Sequence, residues 1–194
     1  AKEGVPEPYT LREATIEDIP LLQQLYNRRK GDSIVWSQIS DAYWRYGIEG
    51  WKVQPDWGKI SSTQIIVDTA GNALGYLFLA ATRGGKGLRV HGFDVAPGAP
   101  VQAILPSVLR ALQAYGNQMP IRTPETEPFS KIDFYLGRTS PLYDVLGSLA
   151  VSTEVPYAWY IRVPDLPAFL KHIAPVLEKR LAGSEAAGYT GEIK

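Results

Sequence analysis

The stretch "GLRVHGFDVAPGAPVQAILPSVLRALQAYG", residues 87–116, decides how the rest of the chain is read. Its first half is β-rich, and the phase of its apolar residues changes midway. Leu88 and Val90 are apolar at even positions, whereas Phe93 and Val95 are apolar at odd ones. Successive strand side chains point to opposite faces, so an unbroken strand cannot keep both sets on one face. One extra residue near Gly92, a β-bulge, reconciles the halves; a strand buried on both faces is the alternative. In the second half, Val101, Ile104, Leu105, Val108, Leu109 and Leu112 follow helical spacing, with Gly116 as the stop signal. Strand, turn and helix in this order commonly hold a phosphate at the helix N-terminus, where backbone N–H groups point at the ligand. Between Gly98 and Gly116 there is no glycine. The question is whether this is a cofactor site or the shell of one.

Working outward, "TQIIVDTAGNALGYLFLAATR" holds two β-rich runs around Ala70, Gly71 and Asn72, the pattern of a hairpin. "YTLREA" (9–14) reads as a strand. In "TIEDIPLLQQLYNRR", Thr15 and Asp18 form a capping box with Asp in the Glu place, which predicts a helix over 16–30. A second helix is expected over 37–47, and "GWKVQPDWGK" reads as a loop. Downstream, the proline-rich "MPIRTPETEPFS" is a loop, "KIDFYLG" a strand and "SPLYDVLGSLA" a short helix. "VSTEVPYAWYIRVP" gives one long or two short strands. Asp165 then caps a helix that places Phe169, Leu170, Ile173, Leu177 and Leu181 on one face, with a kink at Pro175. Several consecutive strands among interspersed helices define an α+β (mixed α/β) class. The organisation expected is a lead-in over 1–8, one domain over 9–163, and a C-terminal helix with the start of a further domain over 164–194.

Bulk composition narrows function. The 194 residues are 45% apolar, enough for a sizeable core. Twenty Lys and Arg balance twenty Asp and Glu, so no basic excess points to nucleic acid or to a membrane surface. There are no cysteines and only two histidines, His91 and His172. Disulfides, thiolate metal sites and cysteine nucleophiles are excluded, and no metal site is expected. The absence of cysteine, of an apolar signal core and of a long apolar run fits a cytoplasmic protein.

This order of elements, with these residues, resembles the GCN5-related N-acetyltransferase family. "YTLREATIEDIPLLQQLY" is similar to the family's opening strand and helix. "FDVAPGAPVQAILPSVLRALQ" is similar to its central strand and coenzyme A helix. "PLYDVLGSLA" places Tyr143 four residues before Gly147, the family's spacing. The resemblance implies a central mixed, mostly antiparallel sheet flanked by helices, with acetyl-CoA as cofactor. It implies Phe93, Val95, Gln102 and Ala103 at the cofactor, a bulge N–H at Gly92–Phe93 for the thioester carbonyl, His91 or Asp94 as base, and Tyr143 as acid. It also implies an acceptor pocket for a small amine, walled by Trp44, Trp51 and Trp57 with Tyr43 and Tyr46 nearby. Each residue has a plainer reading: His91 on a strand surface, Asp94 on a turn or helix end, Tyr143 and the tryptophans in packing.

The middle stretch departs from the family pattern. The family has Val-x-Pro followed by an Arg or Gln and two small residues. Val95 and Pro97 match, but Pro100 stands at the Arg/Gln place, with Ala103 and Leu105 at the glycine places. Pro100 offers no N–H, and Leu105 denies close approach. The tail, "YAWYIRVPDLPAFLKHIAPVLEKRLAGSEAAGYTGEIK", resembles the junction of Eis-type tandem acetyltransferases. There a degenerate second acetyltransferase domain precedes a sterol-carrier-like domain; Trp159, Arg162, Asp165 and Pro175 carry the likeness. The expectation is a structural, non-catalytic domain of an acetyl-CoA-dependent N-acetyltransferase. Its partners would be neighbouring domains of the same chain or a homo-oligomer. The alternatives are an active N-acetyltransferase acting on a small amine and a small-molecule binding module.

Overall fold

The structure, a computed structural model, describes residues 6–32, 36–53, 61–83, 85–121, 127–137, 139–150 and 162–189, with the backbone alone at 51–53. The chain divides into two compact units, residues 1–154 and 155–194.

The first unit is built on a five-stranded sheet in the order β1 (Tyr9–Glu13), β2 (Ser61–Asp68), β3 (Ala73–Ala80), β4 (Gly87–Val95) and β5 (Lys131–Phe134). The first three pairings are antiparallel. β5 joins β4 in parallel after a crossover through helix α3 (Val101–Gln118). The sheet is therefore mixed and mostly antiparallel, flanked by helices, as the expected class requires. On one face Ile66, Leu77, Leu79, Leu88, Val90 and Phe93 meet Ile104, Leu105, Val108 and Leu112 of α3 and Leu142 and Leu146 of α4 (Leu142–Leu146). On the other, Ile65, Val67 and Tyr76 meet Ile19, Leu22 and Leu25 of α1 (Ile19–Arg28) and Trp44 of α2 (Asp41–Val53).

The phase change in β4 is a bulge. Phe78 pairs with Gly92 and Leu79 with Val90, which leaves His91 as the additional residue. Phe93 consequently joins Leu88 and Val90 in one core. Gly92 sits under the Phe78 ring, where a Cβ would lie 2.4 Å from a ring carbon. The hairpin also stands as read. The Asp68 carboxylate accepts the N–H groups of Ala70 and Asn72 at 2.9 Å, and Gly71 takes φ 85°.

Three boundaries move. The segment read as one helix over 16–30 is a 3₁₀ turn (Ile16–Asp18), then α1, then a second 3₁₀ turn (Arg29–Asp32). Asp18 accepts the Thr15 N–H at 2.8 Å and pairs with Arg12 through two 2.7 Å bonds, so it pins β1 as well as starting the turn. α2 begins at Asp41 because Ser40 caps it, its hydroxyl accepting the Tyr43 N–H at 3.3 Å. The helix then runs through Gly50 into the segment read as a loop. Gly116 does not stop α3. The helix continues to Gln118, and Gly116 instead makes room for Phe129, whose ring a Cβ would meet at 2.5 Å. In the second unit α5 (Leu166–Ala182) contains Pro175, and Asp165 caps it by accepting the Ala168 N–H at 2.9 Å. Residues 151–161, which carry most of the strand read in "VSTEVPYAWYIRVP", lie outside the described residues, as does Trp57. Among the described residues no helix is long and apolar enough to cross a membrane.

Gly75 sits where β3 and β4 approach most closely: a Cβ there would lie 2.4 Å from the Asp94 carbonyl oxygen and 3.0 Å from the Val95 Cα. Gly75→Ala must push the β3 and β4 backbones away from each other and is expected to cost about 1–3 kcal/mol in chemical denaturation. Gly47→Ala is its control. That glycine lies in α2 with open space about it, and alanine there is expected to add about 1 kcal/mol through helix propensity.

Candidate functional site

Parallel strands joined by a crossover leave a crevice beyond their carboxyl ends. Here β4 and β5 diverge at that end. Their pairing ends at Val90–Phe134, followed by a last link from the Tyr135 N–H to the Val90 carbonyl at 2.8 Å. β4 continues to pair with β3 as far as Val95. Phe93 to Val95, the loop to Pro100, the first turn of α3, and Tyr135 to Gly137 thus belong to one end of the sheet.

His91 lies at the bulge, exposed, with its ring 5.8 Å from that of Tyr135. Partial burial and the charge of Arg89 lower its pKa, which favours a neutral imidazole able to accept a proton. Tyr143 is held on the backbone. Its hydroxyl donates to the Phe134 carbonyl at 3.0 Å and accepts the Leu136 N–H at 3.3 Å. These bonds tie α4 to the end of β5, and a hydroxyl donating its proton to a carbonyl must break that bond before protonating anything else.

Asp94 is on the opposite face from Phe93, buried and paired in register with Tyr76. Its Oδ1 accepts from Arg28 Nη2 at 2.6 Å and from the Val95 N–H at 2.9 Å. Its buried Oδ2 finds no partner among the described residues. Burial raises the carboxyl pKa, and the Arg28 charge opposes that rise. Burial and the Asp94 charge push the Tyr76 phenol up as well. Arg28 Nη2 also donates to the Val95 carbonyl at 2.8 Å, so one guanidinium caps the end of β4. The structure therefore separates Asp94, on the α1 face, from Tyr143, packed on the α3 face. Arg28 was not singled out in the sequence, where it falls only within the stretch read as a helix over 16–30.

The α3 N-terminus is where a pyrophosphate would be held. Pro97 and Pro100 have no N–H to give. Ala99 donates to Ala96, Val101 to Ala99, and both Ala103 and Ile104 to the Pro100 carbonyl, at 2.9–3.0 Å. Among the described residues of this loop and turn, that leaves only the amides of Gly98 and Gln102 without a bond of this kind. A diphosphate requires several converging donors, and this helix start does not fit one. The physical reason is not quite the one read in the sequence. Leu105 is buried in the core and does not crowd the helix start; the two prolines and the locally satisfied amides remove the cradle. Gln102 and Ala103 are exposed on its first turn.

Trp44 is core rather than an open pocket wall. It is 5% exposed, with its ring 5.7 Å from Tyr26 and 5.7 Å from Phe78. Trp36 takes the remaining side of Tyr26 at 4.4 Å. Tyr43 and Tyr46 are exposed. The Trp51 side chain lies outside the described residues.

Solved structures share this fold. A possible acetyltransferase from Clostridium difficile 630 superposes with a TM-score of 0.50 at 12% identity, over 81% of this chain and 98% of that one. Ribosomal-protein-alanine N-acetyltransferase from Brucella melitensis biovar Abortus 2308 gives 0.54 at 11% identity, over 80% and 99%. No protein-family model and no curated protein matches the sequence. At these identities the likeness defines the fold, which is that of GCN5-related acetyltransferases.

Arg28→Ala would leave Asp94 buried without its cation. Because Arg28 is 36% exposed, the cost is expected near ~2 kcal/mol at pH 7, below that of a fully buried pair. A carboxyl whose folded pKa is raised holds its proton more tightly folded than unfolded. Stability of the variant should therefore recover as pH falls from 7 towards 5, which urea midpoints at the two pH values would check.

Proposed function

We propose that this chain is a non-catalytic acetyltransferase-fold domain that supports an active domain of an acetyl-CoA-dependent N-acetyltransferase, in an Eis-type tandem arrangement. The observation that carries this reading is the start of α3. Pro97 and Pro100 supply no N–H, and the neighbouring amides bond to the loop itself. The remaining groups agree with it. Asp94 is bound to Arg28, and the Tyr143 hydroxyl is engaged with strand-end backbone. The partners on this reading are adjoining domains of the same chain or a second copy, in the cytoplasm.

A second reading, an enzyme moving acetyl from acetyl-CoA to a small amine, is favoured by one observation. His91 stands exposed at the bulge beside Tyr135, with partial burial and Arg89 favouring its neutral imidazole, the form that can accept a proton. Calorimetric titration of the chain with acetyl-CoA separates the two. No saturable heat up to millimolar ligand is expected; micromolar binding would reject the non-catalytic reading. If binding and turnover were found, Tyr143→Phe should lower the rate, and an unchanged rate would remove that hydroxyl from the chemistry. In either case this substitution should cost about 1 kcal/mol of stability, read from the thermal midpoint, for the two hydrogen bonds lost.

A further inference from the structure

At the opposite edge of the sheet, a cleft of about 490 Å³ opens between β1 and α3. Its α3 wall is the stripe Ala111, Ala114, Tyr115 and Gln118, with spacing i, i+3, i+4 and i+7. Two alanines on this stripe keep the helix surface low beside Leu11 and Leu79. At one end stand Ser107, buried at 2% exposure, and Arg110. The opening lies within the size range of small-molecule sites, which are largely apolar with a few fixed polar groups.

The polar end already holds a carboxylate, and it comes from the chain itself. Arg110 Nε and Nη2 donate to Glu7 Oε1 and Oε2 at 2.5 and 2.7 Å, and the Ser107 hydroxyl donates to Oε2 at 2.8 Å. This is the forked geometry that recognises carboxylates. Glu7 belongs to the lead-in, two residues before β1, and sits between Pro6 and Pro8. The hydrogen bonds from Arg110 and Ser107 hold its carboxyl down at about 2, so it is ionised throughout the physiological range.

We infer that this cleft is a binding site for a small apolar carboxylic acid, whose carboxylate takes the Arg110–Ser107 fork and whose tail lies along Ala111, Ala114 and Tyr115, with Glu7 as a tethered competitor. The tether sets the regulation. A carboxylate held this close acts at a high effective concentration, so a free acid binds only in proportion as it displaces Glu7. Release of the lead-in would open the site and leave its α3 wall in place. The inference stands whether or not the domain catalyses anything.

Octanoate is a suitable probe, since its extended carbon chain of roughly 9 Å covers about six residues of helix rise, the run of α3 from Arg110 to Gly116. It would be titrated into the isotope-labelled full chain, following the Ala111 and Ala114 methyls, the Tyr115 ring and the Glu7 carboxyl carbon by NMR. Binding is expected at least tenfold tighter in Glu7→Gln and Glu7→Ala than in the unsubstituted chain. Adding Arg110→Gln should abolish that gain, and octanol should bind Glu7→Gln at least tenfold more weakly than octanoate. In the unsubstituted chain the Glu7 carboxyl resonance should move in step with the cleft methyls, a readout that needs no variant to fold. The inference is overturned if octanoate leaves the cleft resonances unmoved, if it binds equally with and without Arg110, or if the methyls shift while Glu7 stays fixed.

Discussion

The rest of the structure depends on one additional residue in β4. His91 has no partner of its own on β3, and its insertion reverses which face every later side chain of the strand addresses. Phe93 is thereby turned into the core beneath α3, alongside Leu88 and Val90. Asp94 is turned the other way, beside Tyr76, where Arg28 reaches it from the end of α1. Without the bulge the carboxylate would be driven into a wholly apolar layer, and the phenylalanine would displace it at the ion pair. The change also coincides with the divergence of the last two strands, because β5 follows β4 only up to Val90. A single insertion therefore joins the core, the buried charge and the parting of the last two strands.

α3 serves two different ends of the molecule. Its N-terminus is set by Pro100, whose carbonyl collects the N–H groups of Ala103 and Ile104. That closes the first turn tightly and leaves little to offer an anion. Further along, Ser107 and Arg110 hold a carboxylate through side chains. The helix has weak anion recognition by backbone and strong recognition by side chain, about two turns apart.

Much of the fold was legible because its signals are local. Phase along β4, the turn chemistry around Asp68 and Gly71, and the stripe of α3 each lie within a few residues of chain. What stayed hidden was long-range. Arg28 finds Asp94 across 66 residues and Arg110 finds Glu7 across 103, and no periodicity announces such pairs. Gly116 was misread because a helix-ending glycine and one that admits a neighbouring ring look the same in sequence; Phe129 makes the difference. Within the aromatic cluster, Trp44 follows the packing reading rather than the pocket reading. Neighbours along a helix are turned roughly 100° apart, so Trp44 is buried while Tyr43 and Tyr46 face solvent. For the candidate site, the strand, turn and helix themselves were legible, and the structure forms all three. The prolines at the start of α3 were legible in sequence, whereas the direction of Leu105, read as crowding that start, is revealed only by packing.

The same distances along the chain order the events of folding. β2, β3 and β4 form a meander with short connections, so their contacts close small loops. β1 must find β2 across the whole of α1 and α2, pairing Leu11 with Ile66, and the lead-in must find α3 from farther still. Loop closure costs more entropy and takes more time as the intervening chain lengthens. On loop length alone the meander closes first, and β1 with its lead-in closes later. The wall of the cleft and its built-in carboxylate are consequently the youngest features of the native state on the folding clock.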